Sequence, residues 1–327
     1  MLAVMFLGAF VTGLNQTVVA PALPTIMVEM DIDAATGQWL TTGFTLVNAV
    51  MIPVTAFLIE RFSTRQLFLA SMACFTLGSV LCTVGPAFSI LLVGRVFQAV
   101  GAGVLMPMVM TTLVLLFPVN ERGRALGMFG LIISFAPAIG PTLAGIIIDA
   151  STWRFMFGIV TLLAVVVIVF AAFSLQNLPH NSHTASLDPL SVTESTLGFG
   201  GLLYGFSLIG SQAAFTLAAG ISLGVGAVCV VLFFKRQASL SVPMLRVDVL
   251  KNKRFLIATV IGMIVQAALL ASPILLPIYA QTYRGFSATV SGLLMLPGAI
   301  MLALLSPVTG RLFDKYGPRA QIGRAHV

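Results

Sequence analysis

Ten runs of about 20 mostly apolar residues decide what this chain can become. They lie at Leu2–Pro24, Gln38–Ile59, Gln66–Gly85, Phe88–Phe117, Ala125–Asp149, Phe155–Leu175, Thr196–Gly210, Ala213–Phe234, Phe255–Gln281 and Ala288–Gly310. A helix of that length satisfies its own backbone while crossing about 30 Å of hydrocarbon, and strand readings of the Val/Ile-rich stretches fail on length. Composition removes the soluble alternative: 58% of the residues are hydrophobic and 8% are charged, against about 25% charged in soluble domains. The surplus apolar surface has to face lipid. The expected fold class is therefore an all-α integral membrane bundle. Cys74, Cys82 and Cys229 sit singly in apolar runs, with neither metal-ligand nor disulfide spacing. Soluble enzyme, nucleic-acid binder and disulfide scaffold are excluded as bulk descriptions.

Charge placement orients the spans, because basic residues of short loops stay on the cytoplasmic side. Fourteen of the 17 Lys and Arg fall in alternate loops or at the C-terminal end, and only Arg154 and Arg284 fall in the opposite set. Both ends are expected inside. The first loop, Thr25–Gly37, carries Glu29, Asp31 and Asp33 without a base, which suits the outer face. Residues 176–195 read as a polar cytoplasmic connector; His180 and His183 within it are read as solvated rather than as metal ligands. Residues 235–254 read as a basic cytoplasmic loop, which ordinary cytoplasmic anchoring explains, with contact to anionic lipid headgroups as the alternative. Met1 leads directly into the first span, so no secretory leader is expected. Gln321–Val327, QIGRAHV, reads as translated sequencing-adapter sequence, an artefactual tail on a chain interrupted near Ala320.

The cytoplasmic ends of spans two and ten repeat one another. Ala56-Phe57-Leu58-Ile59-Glu60-Arg61-Phe62-Ser63-Thr64-Arg65 matches Gly310-Arg311-Leu312-Phe313-Asp314-Lys315-Tyr316-Gly317-Pro318-Arg319: a small residue, an acid four positions on, then a base, an aromatic and another base. An acid at a helix C-terminus opposes the negative end of the macrodipole, so it needs a base or another helix's N-terminus.

This pair resembles the loop motif of the major facilitator superfamily. Leu14-Asn15-Gln16-Thr17-Val18-Val19-Ala20-Pro21-Ala22-Leu23-Pro24 is similar to the first-span signature of its fourteen-span EmrB/QacA-type multidrug:proton antiporters. Gly94-Arg95-Val96-Phe97-Gln98-Ala99-Val100-Gly101-Ala102-Gly103 is similar to the fourth-span motif; Gly127, Gly140, Pro141 and Gly145, with Ala136 and Ala144 at two family glycines, resemble the fifth-span antiporter motif. The resemblance implies two six-helix bundles plus an inserted pair. Residues 1–175 would form the N-terminal bundle, 196–234 the inserted hairpin, and 255–320 the first two helices of the C-terminal bundle. The chain departs from the pattern at Asn15, where the family commonly has aspartate, at Glu60 for aspartate and at Ser63 for glycine.

Individual residues then take expected roles. An arginine about seven residues inside a span is costly and is expected to face a cavity, so Arg95, with Gln98 beside it, is the candidate for proton and substrate coupling. Asn15, Gln16, Asn48 and Gln266 are candidate cavity-lining residues. Glu60, Arg61, Arg65, Asp314, Lys315 and Arg319 are candidate latches. The glycines and Pro141 of span five permit close helix contact and a bend. The function implied is secondary active efflux of hydrophobic or cationic compounds in exchange for protons, by alternating access. Its partners are a small-molecule substrate, protons and the bilayer, with no nucleic acid. No metal or cofactor is expected, and no phosphate-binding loop for ATP appears. An exporter of a single metabolite and a non-transporting sensor or scaffold are the alternatives. A membrane enzyme is disfavoured, because no catalytic constellation of acids, histidines or nucleophile is seen.

Overall fold

The computed structural model describes residues 1–177, 188–212, 215–240, 243, 245, 247–279, 283–285 and 288–316. Each apolar run becomes one long helix: α1 (Leu2–Met30), α2 (Trp39–Arg61), α3 (Thr64–Val84), α4 (Phe88–Leu116), α5 (Arg122–Ala150), α6 (Trp153–Ser174), α7 (Pro189–Gln212), α8 (Leu217–Ser239), α9 (Lys253–Ile278) and α10 (Ala288–Tyr316). A helical turn at Ala34–Gly37 and a 3₁₀ turn at Val247–Lys251 complete the described elements, which include no strand. Seven helices, α1 to α6 and α8, are long and apolar enough to cross a membrane. At 24, 26 and 29 residues, α7, α9 and α10 have the required length.

Local chemistry sets the helix ends. Ser63, which stands where the loop motif has glycine, closes a capping box at the start of α3: its hydroxyl accepts from the Gln66 N–H, and its own N–H donates to the Gln66 side chain. The Thr152 and Thr216 hydroxyls accept from the Phe155 and Ala219 N–H groups and cap α6 and α8 without a returning bond. Inside the helices, many hydroxyls return to their own backbone, as Thr12 does to Gly8 and Ser71 to Leu67, so apolar surroundings leave these satisfied.

That device explains where sequence reading set a boundary too late. The seventh helix starts at Pro189, not Thr196. Proline suits the first helical turn, Ser191 bonds Asp188, and Thr193, Ser195 and Thr196 donate to carbonyls of their own helix. Residues 188–195 therefore belong to α7 and its cap rather than to the connector. His180 and His183 lie outside the described residues, as do Arg319 and residues 321–327. The basic loop is shorter than expected too, since Lys235 and Arg236 are on α8 and Lys253 and Arg254 on α9.

The tight part of the fold is α1 to α6. Helix α1 runs through its middle against α4, α5 and α6, while α3 is flanked by α4 and α6. Small residues let α3 and α4 touch along their backbones: a Cβ on Gly78 would stand 2.6 Å from the Gln98 nitrogen, and one on Gly94 2.8 Å from the Gly78 oxygen. Helices α7 and α8 pair with each other and reach the bundle through α7 on α2. Helix α10 lies along α5, and the described side chains of α9 are almost all exposed.

Candidate functional site

Two turns into α4, Arg95 is 1% exposed. Its Nε donates to the Leu40 carbonyl of α2 at 3.1 Å, and its Nη1 donates to Gln98 Oε1 at 2.9 Å. The guanidinium carbon sits 4.1 Å from the centre of the Phe44 ring. Gln98 Nε2 passes the chain on to the Ser79 hydroxyl of α3 at 2.9 Å. Nη2 is buried without a partner. Sequence reasoning has this arginine facing a cavity; the structure seats it in the junction of α2, α3 and α4. The glycine contacts draw α3 against this stretch of α4, and Leu40 and Phe44 close over the guanidinium. It is also far from snorkelling, because no part of it reaches the surface.

The other polar candidates separate. Asn15 is 0% exposed, and both polar atoms of its amide lack a partner. Gln16 is exposed on α1, Asn48 is half-buried on α2, and Gln266 is exposed on α9.

A second centre lies between α5 and α10. The Asp314 carboxylate accepts from the N–H of Gly123 at 2.8 Å and of Arg124 at 2.6 Å. These are first-turn donors of α5, which have no partner within their own helix. The N-cap residue of α5, Glu121, makes no side-chain bond, so an acid from another helix caps it. Close approach is required here: a Cβ on Gly123 would stand 2.7 Å from the Gly310 carbonyl, and one on Gly127 2.8 Å from the Ser306 carbonyl. Ser306 donates its hydroxyl to the Gly127 carbonyl at 2.9 Å. Towards the far ends of the same helices, a Cβ on Gly145 or Gly298 would meet nothing within 4 Å. Between them, α5 and α10 line an open apolar groove of about 580 Å³, with Leu126, Met301 and Leu305 on its walls.

The remaining motif residues are placed as follows. Glu60 is exposed and makes no hydrogen bond or ion pair among the described residues. Arg61 lies 5.9 Å from the centre of the Phe57 ring, and Arg65 donates to the Ala172 carbonyl in the last turn of α6 at 2.7 Å. Lys315 is exposed beside Asp314. Gly140 meets Thr17 of α1, where a Cβ would strike the hydroxyl, and the ring of Pro141 follows within α5.

Two clusters escaped the sequence. Glu29 accepts from the Trp153 indole and from Arg154, tying the end of α1 to the start of α6, and Arg154 lies 4.2 Å from the centre of the Trp153 ring. Asp188 takes a two-pronged bond from Arg236 at 2.5 and 2.9 Å, locking the start of α7 to the end of α8. That guanidinium, with help from the Ser191 hydroxyl, holds the Asp188 carboxyl well below the usual carboxylate range. The partners are distant in sequence, so only the fold reveals them. Among the described residues no group of His, Cys, Asp or Glu is arranged to hold a metal ion.

Comparison with known proteins agrees with this architecture. The Major Facilitator Superfamily profile matches residues 5–326. The uncharacterized MFS-type transporter YhcA of Bacillus subtilis is 47% identical over 320 residues, which is 98% of this chain and 60% of YhcA. The lincomycin resistance protein LmrB of the same organism is 39% identical over 317 residues, 96% of this chain and 66% of LmrB. The chain thus spans about two thirds or less of these relatives. A crystal structure of a POT family transporter in complex with 5-aminolevulinic acid shares the fold, with a TM-score of 0.65 at 16% identity, over 97% of this chain and 70% of that one. YhcA is named as a transporter, and the chain is a multi-pass, all-α membrane protein that belongs to the Major Facilitator Superfamily.

Proposed function

We propose that this chain works as a secondary active transporter of the fourteen-span EmrB/QacA-type branch, exporting hydrophobic or cationic drugs across the cell membrane in exchange for protons. The observation that carries the reading is the α5–α10 junction. Its contacts are two hydrogen bonds to one carboxylate, one hydroxyl bond and backbone touching backbone, all at one end of the helices. A seal of that composition can part and re-form without unpacking an apolar core, which is what alternating access around a central site requires. With both ends cytoplasmic, as charge placement favours, this is a cytoplasmic gate. Likeness to a lincomycin resistance protein favours a drug as the cargo.

Proton coupling in this reading does not run through Asn15, because an amide cannot carry the proton. Glu29, Glu60, Glu121, Asp188 and Asp314 stand within the first or last turns of helices or beside them, while Glu194 lies in the second turn of α7 with one carboxylate oxygen buried and unpartnered. Arg95 contributes a fixed positive charge inside the N-terminal bundle. Substrate is met by the exposed faces of α1, α5 and α10, where Gln16, Phe135 and Met301 lie.

The test is drug susceptibility of cells carrying or lacking the gene, followed by drug-driven proton movement in proteoliposomes. Protection against several unrelated compounds with proton movement supports the proposal. Protection against one compound alone favours a single-metabolite exporter, and absence of any transport favours a sensor or scaffold.

A further inference from the structure

Two of the three contacts that hold Arg95 come from the first two turns of α2: the Leu40 carbonyl and the Phe44 ring. Those turns are not anchored by a cap. The N-cap residue of α2, Gln38, has helical backbone angles and makes no side-chain capping bond. Where the first turn of α2 sits, and with it the Leu40 carbonyl, therefore depends on what is packed against the start of the helix. One such contact comes from outside the bundle. Trp39, the residue before Leu40, stacks on Tyr204 of α7, with ring centres 5.7 Å apart and planes inclined at 34°.

Helix α7 is itself firmly held. Gly198, Gly201 and Gly205 bring its backbone onto α8, where a Cβ on Gly201 would lie 3.1 Å from the Gly226 Cα. Ser222 donates to the Gly201 carbonyl at 2.8 Å, and the Asp188–Arg236 pair closes the other end. Tyr204 is thus carried on a rigid two-helix post, and its ring meets Trp39 of α2.

We propose that Tyr204, by stacking on Trp39, is a positioning residue for Arg95: the α7–α8 pair serves as a brace that sets the first turn of α2 and, through Leu40 and Phe44, the guanidinium. This deepens the transport reading by giving the pair a task at the buried arginine, and it rests on that reading only for the transport arm of the test.

Tyr204→Ala and Tyr204→Phe are made alone and together with Arg95→Lys. In the first arm, thermal unfolding of the detergent-purified 327-residue chain is followed for all variants. Residues that share a backbone segment give non-additive effects, whereas distant independent sites add. The shift caused by Tyr204→Ala is expected to shrink when Arg95 is lysine, and Tyr204→Phe, which keeps the ring, is expected to behave as the parent. An additive shift in both backgrounds overturns the proposal. In the second arm, drug-driven proton movement in proteoliposomes should fall about fivefold in Tyr204→Ala, within the range of coupling seen for residues in one contact network, and less than about twofold further in Arg95→Lys. Equal losses in both backgrounds mark a merely structural role and overturn it too. If the parent moves no drug, or Arg95→Ala moves it at the full rate, the transport reading fails while the unfolding arm still decides whether Tyr204 positions the arginine.

Discussion

Removing one charge at the α5–α10 junction should shift the whole molecule between two shapes. In Asp314→Asn, the amide oxygen can still accept from one of the two N–H groups of Gly123 and Arg124, while the second loses its partner and the helix end loses its counter-charge. A hydrogen bond to a charged group contributes about 1.5–3 kcal/mol and a carboxylate at a helix N-terminus about 0.3–1 kcal/mol. The site is half open to water, which cuts both figures. A loss of about 1.5 kcal/mol follows, or roughly a tenfold fall in the ratio of joined to parted junctions. Gly123→Ala should act more strongly, because its new Cβ is aimed at a backbone carbonyl that cannot rotate aside. Spin labels at Met128 and Leu312, both exposed, read the separation by pulsed electron resonance in liposomes once Cys74, Cys82 and Cys229 are replaced by serine. A longer-distance population should appear in both variants, larger in Gly123→Ala. Distance distributions superimposable on the parent in both would refute the assignment of this junction as a gate.

Other outcomes are expected. Arg95→Ala should reach the membrane at normal levels, since removing a buried charge relieves an insertion cost of a few kcal/mol, yet abolish drug export, and Arg95→Lys should retain part because it lacks the planar fork; quantified proteoliposome transport checks both. Asp188→Asn should loosen the α7–α8 pair by about 1–2 kcal/mol, as expected for losing a charge-assisted bond, seen as a lower melting temperature. Because Asp188 titrates lower folded than unfolded, its contribution is full above the ordinary carboxylate range and fades as pH falls through that range toward the folded value. The difference in melting temperature between parent and Asp188→Asn should hold constant from neutral pH to about 5 and shrink only in stronger acid. Gly140→Val should push α5 off Thr17 and slow transport, and pairing it with Thr17→Gly should restore part of the rate.

The ten helices were legible because lipid imposes a length and a composition on each. Their polar ends were less so. At α7 the hydroxyls of Ser191, Thr193 and Thr196 look like loop chemistry in one dimension, but bonding to nearby side chains and carbonyls makes them helix. For Asp314, charge at a helix C-terminus announced the need for a foreign partner, and the N-terminus of α5 meets it; nothing in one dimension says which helix supplies it. Arg95 shows the opposite case. Its depth was readable, but the side on which α2 and α3 close over it is a property of Gly78, Gly94 and Phe44 acting together. The bond from Trp153 to Glu29 joins residues 124 positions apart, beyond any local pattern.

The borrowed cap on α5 has a bearing on how the protein is made. The residues whose N–H groups need Asp314 emerge from the ribosome some 190 residues before it does. Through that interval the first turn of α5 has only water or lipid headgroups to complete it, and Gly123, a residue of low helical preference, sits within it. That turn is therefore expected to gain its cap only after the rest of the N-terminal bundle has been synthesised. Fraying there is expected to persist until α10 inserts and docks, so that hydrogen exchange at Gly123 and Arg124 should be faster in a chain ending before α10.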